Sequence, residues 1–151
     1  MKHFIITILF VTFSGLVSGQ NTKYKNDDNT FIIANFDQTK FANIQKILII
    51  NGYTIEKYDT DLKIIQTKPK PIAGSVYAYN LKNAIVCYIN KTNLIIYSNY
   101  TFEYNNLNGG MTNASGKARY HRRKNVGSRI AFDETEKNVK QIGYKYSVVN
   151  Q

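Results

Sequence analysis

The sequence predicts a two-layer α+β domain: an antiparallel sheet of four to six strands with two helices on one face. Three observations carry this. Apolar residues recur at helical spacing after Asp37 and again before Gly143. Between these two segments, a pair of long alternating runs is joined by a short polar turn, the pattern of a hairpin. The order strand, helix, meander, helix lets both helices cover the same face of one sheet.

Residues 30–36, Thr-Phe-Ile-Ile-Ala-Asn-Phe, form an apolar first strand. Asp37 is an N-cap residue for a helix over 38–51, because its carboxylate can accept from the free amides of the first turn. Phe41, Ile44 and Leu48, with Ile47 beside them, give that helix one apolar face, and Gly52 ends it. Residues 53–58 and 62–67 form a hairpin around Asp59-Thr60-Asp61. Lys68-Pro69-Lys70-Pro71 then reads as a solvated connector, since proline cannot donate to a sheet ladder. A short strand is expected near 76–80, followed by strong strands over 84–90 and 94–104.

On the last of these, Leu94, Ile96, Ser98, Tyr100, Phe102 and Tyr104 share one face, expected to meet the core. Ile95 and Tyr97 lie on the other face, which is therefore not fully polar. Residues 105–116, rich in Gly and Asn, read as a long mobile loop. The final helix has two plausible starts, Ser128 or Asp133, the latter with Glu136 as a capping box. Phe132, Val139 and Ile142 form its apolar side, and Gly143 closes it. Tyr144, Tyr146 and Val148 alternate as an edge strand. A helix-grip or related arrangement satisfies this order.

The chain opens with Lys2 and His3, an apolar run over 4–13, and small residues up to Gly19. This is a secretory signal peptide by pattern, with Val17 and Gly19 at the small-residue positions before the cleavage point. The expected organisation is a signal peptide over 1–19, a flexible leader over 20–29, and a single α+β domain over 30–151. The apolar run falls short of the roughly 20 residues that span a bilayer, and no later segment reaches that length. No membrane span is therefore expected after cleavage, and the protein is placed in a bacterial periplasm or secreted. The first twenty residues hold no cysteine, so no lipoprotein anchor is expected.

Cys87 is the single cysteine, which excludes an internal disulfide; its apolar neighbours mark it as a buried small hydrophobe. There is no zinc-ligand spacing, calcium loop, phosphate-cradling glycine loop or serine nucleophile elbow. No catalytic residue, cofactor or metal ligand is assigned. The formal charge of +10 directs the protein towards anionic partners without choosing among nucleic acid, acidic polysaccharide and lipid head groups.

The charge concentrates in one segment. Lys117, Arg119, His121, Arg122, Arg123, Lys124 and Arg129 are the candidate anion-binding residues, and no acidic residue occurs between Glu103 and Asp133. Arginine forks match phosphate and sulfate bidentately, and the interleaved Tyr120 could stack on a base or sugar. Charge runs more often form solvated surface, and that reading is preferred here; the absence of acidic neighbours is what keeps anion binding as the alternative. An enzymatic alternative combines His121 as acid, Glu103 as base, and Arg119 or Arg122 against a phosphate, the set that phosphodiester cleavage requires.

The stretch over 51–67, in which a helix ends in Gly52-Tyr53 and a strand, an acidic turn and a strand ending in Thr67 follow, resembles uncharacterised secreted and lipoprotein-like bacterial domains. It is also loosely similar to the repeated helix-grip domain of the small lipoprotein of the outer-membrane β-barrel assembly machine. The resemblance implies a fold and a non-enzymatic role; it transfers no functional residue. The expected function is thus a small exported binding or interaction domain, its partner an anionic polymer or another envelope protein. The alternative is a secreted hydrolase acting on an anionic polymer such as RNA.

Overall fold

The computed structural model describes residues 24–73, 79–105 and 110–151. In chain order the elements are β1 (Thr30–Ile33), α1 (Phe41–Ile50), β2 (Ile55–Asp59), β3 (Ile64–Thr67), β4 (Lys70–Pro71), β5 (Tyr79–Asn90), β6 (Asn93–Asn105), β7 (Met111–Lys117), α2 (Gly127–Ile142) and β8 (Ser147–Val149). The expected signal peptide, residues 20–23 of the leader, 76–78 of the short strand and 106–109 of the loop lie outside the described residues.

The architecture is α+β, with every strand pair antiparallel, but the sheet has eight strands and is larger than expected. Its order is β2-β3-β5-β6-β1-β8, with β4 also beside β5 and β7 also beside β6. The extra strands follow from the length of the central pair. β6 is 13 residues long, and β1 covers only its first part, from Leu94 to Tyr97. The backbone groups from Asn99 to Asn105 need other partners, and β7 supplies them. Residues 111–117, expected within a mobile loop, are therefore a strand. Their sequence, Met-Thr-Asn-Ala-Ser-Gly-Lys, has no apolar alternation to announce it.

Local capping explains some boundaries and packing explains others. Asp37 Oδ1 accepts from the Thr39 amide at 3.1 Å and opens a short 3-10 turn, Gln38–Lys40, that leads into α1. Gly143 takes the left-handed conformation, φ +80°, and ends α2 as expected. The start of α2 differs from both predicted starts. Its N-cap is Val126, which brings no side-chain cap, and Asp133 lies well inside the helix. Tertiary contact sets this end: a Cβ on Gly127 would sit 3.2 Å from the Phe102 ring, so the helix begins where it meets β6.

The core lies between the sheet and the two helices. Phe31, Ile33, Ile65, Ile85, Leu94 and Ile96 from the sheet meet Ile44, Leu48, Ala131, Phe132 and Val139 from the helices. The Phe31 and Phe132 rings stack at 4.8 Å. Each such fully buried large side chain contributes about 1.5–3 kcal/mol. Cys87 belongs to the same core, and burial pushes its thiol up to about 12. On the opposite face Ile95 is buried too, across from Tyr88 on β5 and Ile32 on β1.

Residues 24–29, expected as part of a flexible leader, are packed onto the fold. The Tyr24 ring meets Tyr120 and Phe132, and its hydroxyl donates to Glu136. The Asp27 amide donates to the Tyr120 carbonyl at 3.0 Å, and the Asn29 amide to that of Val149, also at 3.0 Å. Buried ring area and paired backbone groups, which the polar sequence of the segment does not signal, hold it in place. Among the described residues, no helix is long and apolar enough to cross a membrane.

Candidate anion-binding surface

The basic segment begins where β7 ends. The Ala118 amide donates to the Ser98 carbonyl at 2.8 Å and anchors the chain against β6. Tyr120 then turns inward. Its amide donates to the Asp28 carbonyl at 2.6 Å, and its ring packs on Tyr24 and Phe132. The Arg129 guanidinium lies over that ring, 4.0 Å from its centroid. It also donates to Asp133 at 2.7 Å and to the His121 carbonyl at 2.9 Å. With its side chain only 12% exposed, Arg129 binds the loop to α2 and is not offered to a ligand.

The other candidates separate in the same way. Lys117 lies 4.6 Å from the centroid of the Tyr97 ring, on the sheet face away from the helices, and donates to the Gln151 carbonyl at 3.2 Å. Partial burial lowers the pKa of its ammonium. Arg119 pairs with Asp27 at 3.1 Å. His121 Nδ1 accepts from the Arg123 amide at 3.2 Å and closes the turn on itself. Arg122, Arg123 and Lys124 remain. All three are exposed, and none has a side-chain hydrogen bond or ion pair among the described residues. The first turn of α2, which follows directly, contains no acidic residue.

An aromatic row on β6 meets the start of α2, the helix that follows this turn. Tyr100, Phe102 and Tyr104 share the helix-side face of β6, with successive ring centroids 5.8 Å apart. They were expected in the core, and the face is correct. Burial, however, stops at Ser98: Tyr100 and Phe102 are half-buried and Tyr104 is 36% exposed. The row outruns the helix that would cover it, since α2 begins at Phe102. Tyr100 rests over Gly116, where a Cβ would lie 3.6 Å from the ring. The composition around Tyr120 pointed to a different aromatic; the length of the alternating run in β6 is the signal that marks this one.

His121 and Glu103 are not brought together. Glu103 alternates with Phe102 and so lies on the face away from the helices, where Asn80 Nδ2 donates to it at 2.6 Å. The His121 carbonyl is fixed to α2 on the helix side. The sheet stands between them. Glu103 instead borders an open groove of about 320 Å³ lined by Asn80, Lys82, Thr101, Asn113 and Ser115 together with Phe102 and Ala114. Among the described residues, no three His, Cys, Asp or Glu side chains are placed to hold a metal ion.

Fold and surface together define a two-layer α+β domain with an exposed cationic turn just before α2 and an aromatic row on β6 that runs past the start of α2. Comparison with protein-family models and with curated proteins finds no match for this chain.

Proposed function

We propose that this is a small exported, non-enzymatic domain that binds an anionic partner through the turn at Arg122, Arg123 and Lys124. One observation carries the reading: three adjacent exposed cations have no ion-pair partner among the described residues, while Arg119 and Arg129, close in sequence, each have a carboxylate partner. Adjacent like charges repel, and a polyanion laid across them relieves that repulsion and releases its own counterions. Export rests on the pattern of residues 1–19. The hydrolase alternative needs His121 and Glu103 at one substrate and draws no support from their placement on opposite sides of the sheet.

The test is binding of the purified protein to immobilised polyglutamate and heparin across a salt series. Reversal of charge at Arg122 and Arg123 (R122E/R123E) is expected to abolish retention, while K82E, on the opposite face, leaves most of it. Equal loss from both variants would reduce the turn to general basicity and sink the reading.

A further inference from the structure

We infer that the anionic partner is a single-stranded nucleic acid, with its phosphates on Arg122, Arg123 and Lys124 and a base stacked on Tyr104. The inference rests on the anion-binding reading above and adds the ring. Tyr104 is the outer member of the aromatic row. Phe102 stands behind it at 5.8 Å, tilted by 41°, and is itself pinned by Gly127 at the start of α2. The ring is thus backed on one side and 36% exposed. Lys124 lies three residues before Gly127, so at most about 11 Å of chain separates it from the point where α2 meets Phe102.

This pairing of features selects a chemistry. A guanidinium fork meets two phosphate oxygens at once, and two of the three cations are arginines. An unpaired base offers a flat π-face of any sequence to an exposed aromatic ring. In a duplex the bases stack on one another, so Tyr104 would have no face to meet. An acidic polysaccharide satisfies the cations but offers the ring only a crowded, sulfated or carboxylated sugar face in place of a flat π-face, and an acidic protein surface offers it neither. Sequence preference is not expected, because stacking and phosphate contacts are both sequence-tolerant.

The experiment is fluorescence anisotropy of the full protein with a labelled oligothymidylate, an oligouridylate, a duplex of equal length, and heparin as competitor. The single strands are expected to bind more tightly than the duplex, with an affinity that falls steeply with salt. Neutralising two cations (R122A/R123A) should reduce the slope of log affinity against log salt by about 1.4. Tyr104→Ala should weaken oligothymidylate binding about tenfold or more while leaving heparin binding unchanged. Tyr104→Phe should retain it, and Tyr104→Leu, which keeps apolar bulk but no flat ring, should lose it. If duplex or heparin binds as tightly as the single strand, or if Tyr104→Ala and Tyr104→Leu bind oligothymidylate normally, the nucleic-acid inference fails and the anionic-partner reading stands. If no polyanion responds to R122A/R123A, both fail.

Discussion

The Arg129 guanidinium lies 4.0 Å above the centre of the Tyr120 ring and fixes the path of the basic loop. Nine residues apart in sequence, the two close a loop whose exposed tip is Arg122 to Lys124. The clamp has several parts: a cation–π contact, an ion pair to Asp133 and a hydrogen bond to the His121 carbonyl. The cationic tip is thereby held at the start of α2 and not left to wander.

Removing the clamp tests its weight. Arg129→Ala is expected to destabilise the protein by about 2 kcal/mol, combining a lost cation–π contact with lost charged hydrogen bonds. Arg129→Lys should recover only part of this, because an ammonium cannot stack flat and fork at once. Urea denaturation midpoints of the three proteins check both statements, and wild-type stability in the alanine variant would contradict them.

Glu136 makes the fold sensitive to acid. Burial works against its charge, but hydrogen bonds from Lys140, Tyr24 and Tyr146 outweigh that and hold its carboxyl below the usual glutamate value. A depressed folded pKa gives stability that is present above the unfolded value, near 4.3, and is lost as pH falls through the folded one. Melting temperature should therefore hold down to about pH 5 and decline below about pH 4. Glu136→Gln should flatten that decline, and an identical profile for the variant would exclude Glu136 as its source.

Thr135 joins α2 to the sheet through buried polar contacts. Its Oγ1 lies 2.6 Å from Ser98 Oγ, accepts from Asn83 Nδ2 at 3.1 Å and donates to the Ala131 carbonyl at 2.8 Å. Thr135→Val keeps the shape but strands the Ser98 hydroxyl and one N–H of Asn83, whose Nδ2 still donates to Tyr53 at 3.2 Å, at a cost of about 2 kcal/mol. Adding Ser98→Ala should cost less than the sum of the two changes, because the second removes a group the first left unpaired. Chemical denaturation of both single variants and the double variant measures the coupling.

Asp27 restrains one cation of the same segment. Its ion pair with Arg119 is about half exposed, so breaking it costs little stability. Asp27→Asn should release Arg119 to join the surface, strengthening polyanion binding at low salt and steepening its salt dependence. Anisotropy titrations at two ionic strengths read this directly; unchanged binding would mean that Arg119 points away from the bound polymer.

The sequence by itself determined the α+β class, the apolar face of α1, the Asp37 cap, the glycine that ends α2 and the inward set along β6. Each is written in local chemistry: side-chain periodicity, a carboxylate before a helix, a residue without Cβ where φ is positive. It also located every member of the basic segment. Only the tertiary structure decided which of those members are available, because pairing Arg119 with Asp27 or folding Arg129 onto Tyr120 depends on chain brought from far away or turned back on itself. The same holds for β7, for the packed segment over 24–29 and for the start of α2. Each is stabilised by an unpaired ladder or an apolar ring on another element, and nothing in its own residues records that partner. The exposed end of the aromatic row has the same origin, since it lies where β6 continues past the beginning of α2.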